Sequence, residues 1–352
     1  VGVRPRNRVA ASISGLATDV TRLAPERWHA GAHLLEVTTL VFDFIAALFG
    51  PRIKLARDRV TRVPRKIRKA ARAEIDTMQR IVDEISGMTG LADVTSTKRV
   101  PKGFYARVED LYAAFDRYIA VVRREMGVTE FAQAGTPEGR GACYAAPFGV
   151  SGVEAMAIYR EVRTWRDFVK VAERLGELGE LQFKDIQAGH RGKDPEKIRM
   201  TSKAAGEGRR HFSERGEPCP LLDASRGRCR VWDHRPMTCR MHHIIGDTAL
   251  ADPRHERHEE AEVLNIRVPV RPQVALSQID KRTNMGASPF LYASVLQQLQ
   301  FTDGELLLEV GEAPRRMGQD GRVVQKANRN VKHAKKNQKK KNKAKQKQKR
   351  GR

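Results

Sequence analysis

Cysteine is scarce in this chain, with four residues in 352: Cys143, Cys219, Cys229 and Cys239. So few thiols over so long a chain exclude a disulfide-stapled secreted scaffold and point to the cytoplasm. Long apolar runs are missing too. The best one, Leu34 to Phe49, contains Glu36 and Asp43 and falls short of the roughly 20 residues a bilayer demands. No integral membrane segment is therefore expected. Leu34, Val37, Val41, Phe44, Ile45 and Leu48 fall on one stripe, which predicts a buried helix instead. Arg4, Arg6 and Arg8 precede the mildly apolar run Val9 to Ala17, but Ser12, Ser14 and Gly15 interrupt it, so a secretory leader is not expected. Acid is absent from the C-terminal end. From Arg322 to Arg352 there are 15 Lys or Arg and no Asp or Glu, so of the formal charge of +24 the first 321 residues hold +9.

What is present is helical periodicity. Ile75, Met78, Ile81, Val82 and Ile85 make one face, closed by Ser86-Gly87 and Thr89-Gly90. A second face carries Phe104, Val108, Leu111, Tyr112, Phe115, Ile119 and Val122. A third runs through Val153, Met156, Val162, Trp165, Phe168, Val169 and Leu175. Ser288 and Pro289 predict the start of a last helix with Leu291, Val295, Leu296 and Leu299 inside. Strand signal is thin: Leu264, Ile266, Val268 and Val270 alternate with Asn265, Arg267 and Pro269, and the proline confines such a strand to an edge. The expected fold is mostly α, an irregular helical domain with a loop-rich cysteine-bearing insertion between about residues 210 and 260.

Three regions follow: a basic N-terminal segment with one amphipathic helix (1–75), a helical domain (76–315) and a disordered Lys-rich tail (316–352). Ten basic residues from Arg52 to Arg72 meet only Asp58 and Glu74. A solvated helix surface and an anionic partner both account for that run. Between Gln325 and Arg352, Val331 is the one large apolar residue, too little to offset the entropy of ordering. Such a tail suits a nucleic acid or a ribosome through counterion release, or serves solubility alone. It has no Phe, Tyr or Trp to stack on a base.

Cys219, Cys229 and Cys239 sit at equal intervals of ten among Pro, Gly and five cations, Arg226, Arg228, Arg230, Arg235 and Arg240. Thiolates are the soft ligands that zinc and iron–sulfur centres select. Neighbouring guanidiniums would lower thiol pKa values and donate to the sulfurs. The spacing is not that of a zinc ribbon, where paired cysteines share a tight knuckle. On spacing alone, a metal site and three unrelated cysteines both stand.

Cys219 to Leu222, Gly227 to Val231 with Trp232 after it, and Arg235 to Arg240 together resemble the signature of the YkgJ-type cysteine-cluster proteins, a zinc- or iron-chelating domain family. The weaker match extends over residues 140–245. Family members carry an upstream group of several cysteines, where this chain has only Gly141-Ala142-Cys143, followed by a helix-like segment from Val150 to Val162. The resemblance implies a ligand set of Cys143, Cys219, Cys229 and Cys239, enough for one four-coordinate zinc or iron ion or one iron–sulfur cluster. Should Cys143 be a core residue, His211, His234, His242 or His243 is the candidate fourth ligand. Four protein ligands leave no open position, so the expected role of the metal is structural, and its binding contributes to folding.

The resemblance also brings in flagellin lysine methylases, and with them an alternative: an iron–sulfur redox or lysine N-methyltransferase-like enzyme. No Gly-rich loop follows a strand in this chain. Gly206-Glu207-Gly208 lacks the third glycine, and Gly311 stands alone. Glu259, Glu260 and Glu262 beside His255 and His258 lack zincin spacing.

Overall fold

The computed structural model describes residues 63–144, 149–189, 203–283 and 291–313. Among these, 60% are helical. The expected helix at 34–49, most of the basic run from Arg52, and the Lys-rich tail lie outside the described residues.

Pro64 opens helix α1 (Arg65–Ala70), and α2 (Arg72–Ser86) follows with Met78, Ile81, Val82 and Ile85 buried on one face. Gly87 ends it, donating its N–H to the Asp83 carbonyl. The short α3 (Val94–Thr97) leads to strand β1 (Arg99–Val100). Next comes α4 (Phe104–Glu125), with ten buried side chains, which packs against α2 among other elements. Its N-terminus is held by Glu309, whose carboxylate accepts from the N–H groups of Gly103 (3.0 Å) and Tyr105 (3.1 Å). Glu309 belongs to β7 (Leu308–Glu309), which pairs in parallel with β1.

Helix α5 (Gly152–Val162) is buried along nearly its whole length, including Val153, Met156, Ile158 and Tyr159. A helix buried over so much of its surface belongs near the centre, and α5 touches α4, α9 (Val270–Arg282) and α10 (Leu291–Phe301). Ser151 and Glu154 form a capping box at its start. The third predicted face does not continue as one helix. The chain turns at Arg163–Asp167, where Trp165 N–H reaches the Val162 carbonyl and Phe168 N–H the Trp165 carbonyl. A separate helix α6 (Phe168–Gly189) then begins.

Against α6 lies α7 (Lys203–Glu214). Gly208 of the Gly206/Gly208 pair is here a packing device: a Cβ on it would stand 2.5 Å from Ile186 Cα and 2.7 Å from the Asp185 carbonyl oxygen. Only glycine lets the two backbones come this close. The expected inner face of the last helix is confirmed, with Leu291, Val295, Leu296 and Leu299 buried on α10, while Ser288 and Pro289 lie outside the described residues.

A three-stranded antiparallel sheet runs in the order β2 (Ala132–Gln133), β5 (His242–Ile245), β6 (Glu262–Asn265). β6 is an edge strand, as expected, but it ends at Asn265 rather than running to Val270. Pro269 cannot donate to a ladder and instead caps α9, leaving Val270 at the first helical position and 44% exposed. The chain between α7 and β6 is loop-rich, with a hairpin of β3 (Leu222–Asp223) and β4 (Arg228–Cys229) and the one-turn helix α8 (Met237–Arg240). Among the described residues no helix is long and apolar enough to cross a membrane.

The α5 N-terminus also receives Asp280 from α9, whose carboxylate accepts from Gly152 N–H at 2.9 Å. Burial pushes the Asp280 carboxyl up to about 7, and the nearby Glu154 carboxylate adds to this. Folded Asp280 thus keeps its proton at a pH where the unfolded chain has released it, so its contribution to stability falls as pH rises from about 4 to about 7. Asp280→Asn should flatten that part of the profile, measured as urea midpoints across the range. An unchanged slope would contradict the assignment.

Candidate metal centre

The four cysteines come from separate segments. Cys143 sits in a 3-10 turn (Arg140–Tyr144), Cys219 just before the β3–β4 hairpin, Cys229 on β4 and Cys239 on α8. Backbone hydrogen bonds join three of these segments. Cys219 N–H donates to the Cys143 carbonyl at 2.9 Å, and Cys229 N–H to the Gly135 carbonyl at 3.0 Å. Across the hairpin, Leu222 is in register with Cys229. The fourth segment is anchored to the central helix, because Glu154 accepts from Met237 N–H at 2.6 Å at the start of α8. The other oxygen of that carboxylate accepts from Ser151 N–H (2.9 Å) and hydroxyl (2.8 Å).

All four thiols are free, and they lie near enough to feel one another's charge. Cys239 couples to the other three, and Cys219 to Cys143 and Cys229. Burial pushes Cys143 up to about 12 and raises Cys219, Cys229 and Cys239 as well. This reverses the sequence expectation of arginine-lowered thiols, because desolvation outweighs the guanidiniums. It also sorts those guanidiniums. Arg226 and Arg228 are exposed, and Arg230 is taken by Asp167 through two 2.7 Å hydrogen bonds and by the Trp165 ring.

Arg235 and Arg240 are the two that face inward, 3% and 5% exposed. Arg235 donates to the Ala134 carbonyl and to Gln133 Oε1 (3.3 Å), and lies 3.4 Å over the Trp232 ring. Arg240 donates to the Asp116 carboxylate, the Asp233 carbonyl (2.6 Å) and the Arg235 carbonyl (2.8 Å). Desolvation and the charge of Arg240 both lower the Arg235 pKa, while Cys239 and Cys229 act in the opposite sense.

Several donors favour thiolate over thiol. Cys143 takes a backbone hydrogen bond from Gly135, Cys219 from Leu221, and Cys229 from Val231. The Tyr292 hydroxyl on α10 adds another to Cys219. Leu221 and Val231 each stand two residues past their cysteine, so both segments fold the same way around the sulfur. Gly135 fits between Cys143 and Cys229 because it has no side chain: at φ +87° a Cβ there would lie 2.8 Å from Cys229 Cβ.

Three of the four candidate histidines are engaged otherwise. His211 pairs with Asp185 at 3.2 Å. His242 shares a 2.8 Å hydrogen bond with Asn265, and His243 is buried against the Met241 carbonyl (3.0 Å) and pushed down to about 4 by desolvation. His234, in a 3-10 turn, keeps an enclosed Nδ1 with no partner among the described residues.

Among the described residues no three His, Cys, Asp or Glu side chains are drawn to the spacing of bound ligands. The donor chemistry nonetheless fits a soft cation: four coupled thiols, sulfur-directed N–H donors, and two buried guanidiniums facing one carboxylate. A divalent ion with four thiolates carries a net charge of −2, which suits that cationic wall. Sequence reasoning missed Gly135, Glu154 and Tyr292. Gly135-Thr136-Pro137 gave a turn signal, whereas nothing local marked the other two.

Residues 184–263 match the family described as "CxxCxxCC: Putative zinc- or iron-chelating domain". The matched segment contains Cys219, Cys229 and Cys239, and Cys143 lies outside it. No curated protein and no solved structure matches the chain.

Gly135→Ala should cost about 3 kcal/mol, combining left-handed strain with displacement of Cys229. Gly246→Ala, at φ +75° with open space around it, should cost only about 1 kcal/mol. Equal costs in denaturant unfolding would remove Gly135 from the site.

Proposed function

We propose that this chain is a cytoplasmic metal-binding protein in which the Cys143, Cys219, Cys229 and Cys239 thiolates hold one zinc or iron ion in a structural role. The observation that carries the reading is the convergence of the cysteine segments: Cys219 N–H donates to the Cys143 carbonyl, Cys229 stands in register with Leu222 across the hairpin, and Glu154 fastens the helix of Cys239 to α5. The family match to residues 184–263 supports the metal class. Bound there, the cation supplies a four-point crosslink with no open coordination position. The chain's own residues do the rest. Gly135, Leu221, Val231 and Tyr292 orient the sulfurs, Arg235 and Arg240 balance their charge, and Glu154 fastens α8 to α5.

Anaerobic purification followed by elemental analysis should give about one metal per chain. Zinc by elemental analysis in a colourless protein assigns zinc, iron without sulfide a single iron ion, and brown protein with near-equal iron and sulfide an iron–sulfur centre. Cys143→Ser and Cys229→Ser should each lose the metal and lower thermal stability. Metal held by Cys143→Ser as tightly as by the wild type would return Cys143 to the core and leave a three-cysteine site.

The Lys-rich tail is read as a contact for nucleic acid or ribosome, since 15 cations without an acid release counterions wherever they meet phosphates. Truncation after Gly321 should abolish salt-sensitive retention on RNA. Retention that survives would move the contact to Arg52–Arg72.

A further inference from the structure

Of the four cysteines, Cys229 lines a cleft of about 750 Å³, shared with Pro137, Trp165, Asp223, Arg226, Arg228 and Arg230. Two of its charged groups are already committed. Asp223 is held well below the usual carboxylate range by the Ser225 hydroxyl (2.6 Å) and by the N–H groups of Ser225 and Arg226. Arg230 is bound to Asp167. Arg226 and Arg228 remain. The first is 80% exposed with only a 3.8 Å approach to Asp223, and the exposed second has no ion pair or hydrogen bond from its guanidinium among the described residues. Both stand on the β3–β4 hairpin that carries Cys229, Arg228 being its direct neighbour and Arg226 in the turn.

A cleft of this size admits a small molecule. Two uncommitted guanidiniums at its rim select an anion, and Cys229 is the one of the four candidate ligands that borders it. We propose that this cleft docks an anionic metal chelate, a zinc or iron ion carried by a small polycarboxylate, and that Cys229 is the first thiol to take the metal. The inference rests on reading the four cysteines as ligands. In the exchange each metal–sulfur bond forms as a metal–carboxylate bond breaks. Thiol protons pass to buffer or to the freed carboxylates, and no electrons move. Cys219 and Cys143, joined by a backbone hydrogen bond of 2.9 Å, and Cys239 then complete the set.

The test is stopped-flow zinc transfer into metal-free full-length protein from two donors. One is zinc nitrilotriacetate, an anionic complex, and the other is zinc tris(2-pyridylmethyl)amine, a cationic complex. In Arg226→Gln/Arg228→Gln, transfer from the anionic donor should slow roughly tenfold at low salt. The gap should close near about 1 M salt, and transfer from the cationic donor should not slow. Arg226→Lys/Arg228→Lys should keep the wild-type rate, and final zinc content should be equal in all three proteins. Equal rates from the anionic donor in wild type and the Gln variant, with normal zinc content, would overturn the docking role while leaving the metal site standing. If none of the proteins retains zinc, the four-cysteine reading falls and takes this one with it.

Discussion

Burying a guanidinium costs several kcal/mol unless anions and acceptors meet it, and Arg235 and Arg240 are buried side by side. Backbone carbonyls and Asp116 answer part of that demand. Cys229 and Cys239 stand near enough for their charge to act on Arg235, and burial raises the pKa of all four thiols. In the proposed function, two cations that need negative charge face thiols that supply it in company with a metal. The local structure makes sense around that exchange.

The helical frame holds these partners in place. α5 is buried over most of its surface, and its N-terminus is the junction at which Glu154 reaches α8 and Asp280 reaches in from α9. α10 contributes the Tyr292 hydroxyl to Cys219. The cysteine loop has little regular structure to hold it, since its strands are two residues long and its one helix is four. It borrows rigidity from α5 and α10, and in the proposed function from the metal.

Where the three-four apolar period is undiluted, as in α2, α4 and α10, the helices were legible in the sequence. Two helices were hidden for physical reasons. α7 carries Gly206 and Gly208, poor helix formers, of which Gly208 is required by the close approach to Ile186. α9 begins in a stretch whose alternation imitates a strand until Pro269 breaks the ladder. Arg163 to Asp167 turns the chain with apolar residues on both sides, so periodicity alone did not reveal the break between α5 and α6. At the site, residue type and resemblance found the cysteines, but not what surrounds them. The direction of the thiol shifts was misread because sequence shows neighbouring charge and not desolvation. Gly135, Glu154 and Tyr292 are brought to the sulfurs by the tertiary fold, across separations that no local pattern spans.

The central claim is that four sulfurs from four segments share one cation. X-ray absorption at the metal edge of the purified protein tests it most directly. Four sulfur neighbours at about 2.3 Å, falling to three in Cys143→Ser with any metal that variant retains, is the predicted outcome. A first shell dominated by nitrogen or oxygen, or a sulfur count unaffected by the loss of Cys143, would contradict the account.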